Sequence, residues 1–199
     1  MAENAKNKKE LKEIEAFCGS SKVLVVGSTW PADEELLNSI IERYTDWKFI
    51  IAPHEIAEAN LQRLEEQLHG KTIRYSNLEV HKLTVPQVLI IDNIGLLSSL
   101  YAYGTIAYIG GGFGKGIHNT LEAAAFGLPV IFGPKYQKFQ EAKDLVKLEA
   151  GFSISNQAEL NDCFKLLQAD TENSAGAKAK AYVDSHTGAT VQILEKIIA

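Results

Sequence analysis

Short runs of β-branched and aromatic residues alternate with stretches whose apolar positions recur every three or four residues, almost from one end of the chain to the other. Lys22–Val26 (KVLVV) reads as a buried strand that ends at Gly27. Pro31 suits the first turn of a following helix, where a missing N–H costs nothing, and Leu36, Leu37, Ile40, Ile41 and Tyr44 keep to one face. Trp47–Ala52 is a second strand. Ile56, Leu61, Leu64 and Leu68 mark the next helix, which Gly70 closes, and Lys71–Tyr75 is a third, less apolar strand nearer an edge. Downstream the same alternation predicts strands at Val88–Ile91, Ile106–Ile109, Pro129–Phe132 and Phe152–Ile154. Between them lie a short helix over Leu96–Tyr103, a compact one over Thr120–Phe126, and one carrying Phe139, Ala142, Leu145 and Val146 on one side. Leu160, Cys163, Phe164 and Leu167 begin a helical tail that ends near Ile198, with Thr171–Lys180 only weakly patterned.

Continuous apolar strands separated by helices predict an α/β class fold, a doubly wound, Rossmann-like parallel sheet with helices on both faces. In such sheets ligands bind outside the carboxyl ends of the strands, beside helix N-termini. That rule singles out the loops after Val26, Ala52, Ile91 and Ile109. The 199 residues are 46% hydrophobic, enough for one substantial core, and carry a formal charge of −5 with Lys and Arg scattered. Scattered basic residues argue against nucleic acid as a partner, because such binding neutralises many phosphates at once. No run of about 18 apolar residues is present, and the polar, Lys-rich start has no apolar signal core, so a soluble, cytoplasmic protein is expected. Cys18 and Cys163 stand far apart in no metal-ligand spacing and read as reduced thiols.

The run Gly110–Gly116 (GGGFGKG) fits neither of two familiar phosphate-binding patterns. A P-loop needs a Ser or Thr after the Lys, whereas Gly116 follows Lys115; a dinucleotide fingerprint needs a third Gly where Ile117 stands. His54–Glu55 lacks the second His of a zincin helix, since Glu58 occupies that place, and no nucleophile elbow surrounds Ser20 or Ser28. No metal site, no catalytic residue and no cofactor is predicted. The residues just beyond the glycines fit two readings. Asn119 is a good N-cap and Glu122 three residues on completes a capping-box spacing, which explains both residues without a ligand. Equally, glycines let a phosphate approach the backbone at a helix N-terminus, and a carboxylate one turn in can accept both hydroxyls of a ribose.

The stretch Tyr108–Pro134 (YIGGGFGKGIHNTLEAAAFGLPVIFGP) resembles the donor-site signature of bacterial 3-deoxy-D-manno-octulosonic acid (Kdo) transferases. Three further segments are similar to that family's motifs, in the same order: Gly27–Pro31 followed by Asp33–Glu35, Ala52–Glu55, and Asp92–Leu97. The resemblance spans roughly Val23 to Gly151. It implies one half of a glycosyltransferase B fold, residues 21–199 forming a CMP-Kdo binding domain with a C-terminal helical tail and residues 1–20 a charged interdomain helix or linker. It further implies CMP contacts at Pro53, His54, Ile94, Gly95, Leu96, Asn119, Thr120, Leu121 and Glu122, with Glu122 on the ribose. Ser28, Thr29 and Lys115 become candidates for the phosphate or the Kdo carboxylate. Here His54 stands where the family has Arg, Leu96 where it has Glu, Thr120 where it has Pro, and Lys115 near an expected Arg.

The family moves Kdo from CMP-Kdo to a lipid A precursor in lipopolysaccharide synthesis, at the cytoplasmic face of the inner membrane. Its catalytic Glu, acceptor site and membrane contact lie in an N-terminal domain with no counterpart in this sequence, so donor binding without turnover is expected. A UDP-sugar glycosyltransferase B half or epimerase, and a non-catalytic α/β binding module, are the alternatives.

Overall fold

Seven β-branched and aromatic segments pair side by side, all parallel, in the order β3-β4-β2-β1-β5-β6-β7. The computed structural model describes residues 11–69, 71–78 and 86–186. In chain order the elements are α1 (Lys12–Cys18), β1 (Val23–Thr29), α2 (Pro31–Arg43), β2 (Lys48–Pro53), α3 (Glu58–Gln67), β3 (Thr72–Arg74) and β4 (Val88–Ile90). They continue with α4 (Leu97–Leu100), β5 (Ile106–Ile109), α5 (Leu121–Ala124), β6 (Val130–Phe132), α6 (Gln140–Lys147), β7 (Gly151–Ser153), α7 (Gln157–Ala169) and α8 (Ser174–Ser185). Every strand expected from the sequence is present, within one residue at each end, except that β1 continues three residues past Val26 to Thr29. The stretch expected as one short helix over Leu96–Tyr103 splits into α4 and a 3-10 turn at Tyr101–Tyr103. The expected stop at Gly70, the charged stretch before Leu11 and the tail beyond His186 lie outside the described residues.

Side chains alternate along each strand, so the sheet has two cores. Val23, Val25, Ile50, Ala107, Ile109 and Phe132 point to one face, where α1, α4, α5, α6 and α8 cover them. Leu24, Val26, Phe49, Ile51, Ile106, Tyr108 and Ile131 point to the other, under α2, α3 and α7. The chain is the doubly wound α/β fold that its periodicity predicted. Of the stretch 1–20, residues 12–18 form α1, whose Ile14, Phe17 and Cys18 are buried against the sheet. Strand β1 sits centrally, with β2 on one side and β5 on the other. The connection leaving β1 goes to one face through α2, and that leaving β5 goes to the other through α5. That divergence is the topological switch point, where parallel sheets open a crevice.

Candidate functional site

At the carboxyl end of β1 the pairing register with β2 shifts between Gly27 and Thr29, and Ser28 takes a left-handed backbone with φ +55°. A non-glycine residue held in that region carries strain that its surroundings must enforce. The result is a bulge that turns the Thr29 side chain inward, where its hydroxyl donates to Glu34 Oε1 at 2.8 Å. The Thr29 carbonyl accepts from the His54 N–H at 2.9 Å, so the loops after β1 and β2 are tied together. Glu34 is buried and is also bound by the Arg63 guanidinium of α3.

Asp33 organises the other side. Fully buried, it accepts from the Trp30 N–H at the start of α2, from the Tyr108 hydroxyl at 2.8 Å and from the Gly111 N–H at 3.0 Å. One carboxylate therefore joins the loop after β1 to the glycine turn after β5. Burial, and then the Asp33 charge, push the Tyr108 hydroxyl well above the ordinary phenol range, so it stays a donor.

The glycines of that turn are needed first by the protein itself. A Cβ on Gly110 would overlap the Ser28 carbonyl, and one on Gly112 would fall 2.6 Å from the Gly133 backbone. Gly111 and Gly116 have φ +90° and +140°, which side-chain-bearing residues rarely adopt. Gly114 is exposed, with no such backbone overlap, and Gly95 in the loop after β4 has φ +94° and open space around it.

The expected site residues lie at the carboxyl ends of β4, β2, β1 and β5, four neighbouring strands. Pro53 ends β2 and His54 follows it, exposed. Ile94 is 87% exposed, Gly95 is exposed and Leu96 is half-buried. The loop that carries them is anchored by Asp92, which accepts from the N–H and hydroxyl of Ser76. Asn119 Oδ1 accepts from the Leu121 N–H at 3.0 Å, a local turn one residue before the N-cap, which is Thr120 rather than the expected Asn119, because the helix starts only at Leu121. The Asn119 Nδ2 donates to Glu122 Oε1 at 3.1 Å, so the two side chains hold each other at the mouth of α5. Ser28 and Glu122 are half-buried, and Lys115 is exposed on the glycine turn. Thr120 is 1% exposed and its hydroxyl, buried, has no partner. Leu121 packs against the core.

Two residues that sequence reasoning did not place in the site stand at its centre. Trp30, 36% exposed, stacks on His54 with ring centroids 4.6 Å apart and an angle of 26°. His54 in turn meets His118 at 4.7 Å, and the Trp30 indole N–H lies 3.5 Å from His118 Nε2. Asp33, beneath them, is the second. Its spacing three residues after Trp30, matching an N-cap reached by a helix carboxylate, was the signal available. Burial, and then the nearby His54 ring, lower the His118 pKa, against a smaller opposing pull from Asp33. A recess of about 130 Å³ opens beside the stack, between Trp30, Pro53, Glu55, Asn60 and Arg63. Larger grooves of about 460 and 630 Å³ run along the β7 edge and share no residue with these loops.

No family model matches the chain. A 3-deoxy-D-manno-octulosonic acid transferase of Aquifex aeolicus is 34% identical over 144 residues, which are 69% of this chain and 39% of that protein. The chain belongs to the Kdo transferase family. A Kdo transferase of Rickettsia typhi is 29% identical over 88% of the chain and 38% of its own length. The chain thus spans about two-fifths of these Kdo transferases. The C-terminal CMP-Kdo binding domain of WaaA from Acinetobacter baumannii has the same fold, with a TM-score of 0.73 over 92% of this chain and 96% of that one, at 21% identity. That agreement places the sheet, its switch point and its loops within a glycosyltransferase B architecture. Among the described residues no helix is long and apolar enough to cross a membrane, and no group of three or more His, Cys, Asp or Glu could hold a metal ion.

Proposed function

We propose that this chain is the donor-binding half of a Kdo transferase, with residues 21–199 as the CMP-Kdo binding domain and α1 docked on it. The observation that carries the reading is the convergence of separate motifs on one crevice. His54 after β2, Ile94–Leu96 after β4 and Asn119–Glu122 after β5 all open on the carboxyl edge of the sheet, around its switch point. The kinship to Kdo transferases supports the choice of sugar. In this reading Glu122, braced by Asn119, accepts the ribose hydroxyls. Pro53, His54 and the backbone of Ile94–Leu96 border the nucleotide, where Gly95 leaves room for close approach. Asn119, Thr120 and Leu121 contribute through the α5 N-terminus. Ser28, Thr29 and Lys115 border the phosphate or the sugar carboxylate; Thr29 does so through its backbone, since its hydroxyl faces Glu34.

The full reaction, transfer of Kdo to a lipid A precursor at the inner membrane, belongs to the longer protein under the same proposal. The isolated chain is expected to bind donor and not to turn it over. Titration calorimetry of the chain with CMP and with UDP tests the reading. CMP is expected to bind more tightly; tighter binding of UDP, or none of either, would overturn it. Transfer of Kdo by the isolated chain would overturn the assignment of catalysis to the other half.

A further inference from the structure

We infer that Trp30, His54 and His118 form a single oxyanion-reading unit, in which the imidazole pair takes one proton from solvent as the ligand's anionic group arrives. The inference rests on the donor-binding reading above and assigns a ligand-facing role to Trp30 and His118, which lie within the family-like motifs but are not among the contacts that the resemblance implied.

The geometry makes the three rings interdependent. Trp30 and His54 are stacked at 26°, so the indole face is a platform for a flat cation, and a protonated imidazole on it gains a cation–π attraction. The Trp30 Nε1–H donates to His118 Nε2 at 3.5 Å, a long bond that is made with that nitrogen unprotonated. With centroids 4.7 Å apart, two imidazoles are too close to hold two protons cheaply, because like charges at that range repel. An oxyanion beside the rings shifts the pair from no proton toward one, since opposite charge favours the protonated form. The proton belongs to the coupled pair rather than to either ring.

The surrounding charges leave this role to the imidazoles. Asp33 is committed to Trp30 N–H, Tyr108 and Gly111, and lies on the buried side of the rings. Glu34 is held by Arg63 and Thr29, Glu55 by Asn60, and Glu122 by Asn119. Arg63 is thus engaged by a carboxylate, and Lys115 is exposed on the glycine turn. A guanidinium at position 54 would stay charged at any working pH, whereas an imidazole pair charges only on demand.

The test is calorimetric titration of the chain with CMP, cytidine and free Kdo at neutral pH, each in buffers of different ionisation enthalpy. Up to one proton is expected to enter the protein with an anion-bearing ligand, and none with cytidine. CMP affinity then falls by up to about tenfold per pH unit above the imidazole range, the limit for one linked proton. Uptake with CMP assigns the unit to the phosphate, and uptake with Kdo alone assigns it to the sugar carboxylate. The double variant His54→Gln/His118→Gln, checked for folding by its amide spectrum, is expected to bind CMP more weakly and without uptake. Binding of CMP and of Kdo with proton uptake in neither case, or uptake that survives the double substitution, overturns this inference and leaves the donor-binding reading standing. Failure to bind CMP or UDP removes both.

Discussion

Thr120 shows how a single residue can carry a stability cost at the mouth of a site. Its hydroxyl is buried and unpaired, and burying such a group without a partner costs roughly 1–3 kcal/mol. Thr120→Val keeps the shape and deletes the hydroxyl, so it is expected to stabilise the fold by about 1 kcal/mol. Urea denaturation of the two proteins measures this; an equal or lower midpoint would show that the hydroxyl does find a partner in solution. Asp33 is the opposite case, a buried carboxylate whose three bonds hold two loops in place. Neither role was visible from residue type. Asn119 and Glu122 were recognisable because side chains three apart at a helix start meet, though as a side-chain pair rather than a cap, but which tertiary donors surround Asp33 depends on β5 lying beside β1, which periodicity does not encode.

Strands were the most legible elements, for a physical reason. The five strands between the edges are buried on both faces, so VLVV, FIIA, VLI and VIF are continuous apolar runs that no exposed segment would carry. Helix α1 was less legible: it is only seven residues long, and its buried Ile14 and Phe17 are too short a pattern to mark a face. The glycine turn was legible as a turn but not as a packing device, because a glycine that admits a phosphate and one that admits a neighbouring carbonyl are the same letter. Helix α7 has a clear start. Asn156 Oδ1 accepts from the Glu159 N–H at 3.0 Å, and Glu159 reaches back to the Ser155 N–H at 2.8 Å. Asn156→Ala is therefore expected to cost about 1 kcal/mol, read as a lowered denaturation midpoint. An unchanged midpoint would mean that α7 is held by packing alone.

Across the whole molecule, two chemistries report on folding. The depressed His118 pKa means that the unfolded chain binds a proton more readily than the folded one. Its contribution to stability is complete above the unfolded value of about 6.5 and is lost as pH falls through the lower folded value. The unmodified chain should accordingly lose more stability than His118→Gln between about pH 7.5 and 5.5 in parallel denaturation curves. Equal losses would contradict the direction of the shift. The two thiols form a second pair of probes, one on each face of the sheet. Burial raises Cys18 to about 11, offset in part by Lys48, and Cys163 to about 12, so both are protonated and unreactive when folded. Maleimide labelling of both is expected to follow unfolding at a common rate; much faster reaction at Cys163 would reveal separate opening of the α7 face.

The tight seating of Gly110 against Ser28 and of Gly112 against Gly133 bears on how such a domain can change its ligand. A library randomised at Gly110 or Gly112 should yield mostly insoluble clones, because any side chain there collides with main chain that cannot retreat. One randomised at exposed Ile94 and His54 should yield mainly folded ones. Innovation in this crevice is thus channelled to its rim, with the floor inherited unchanged.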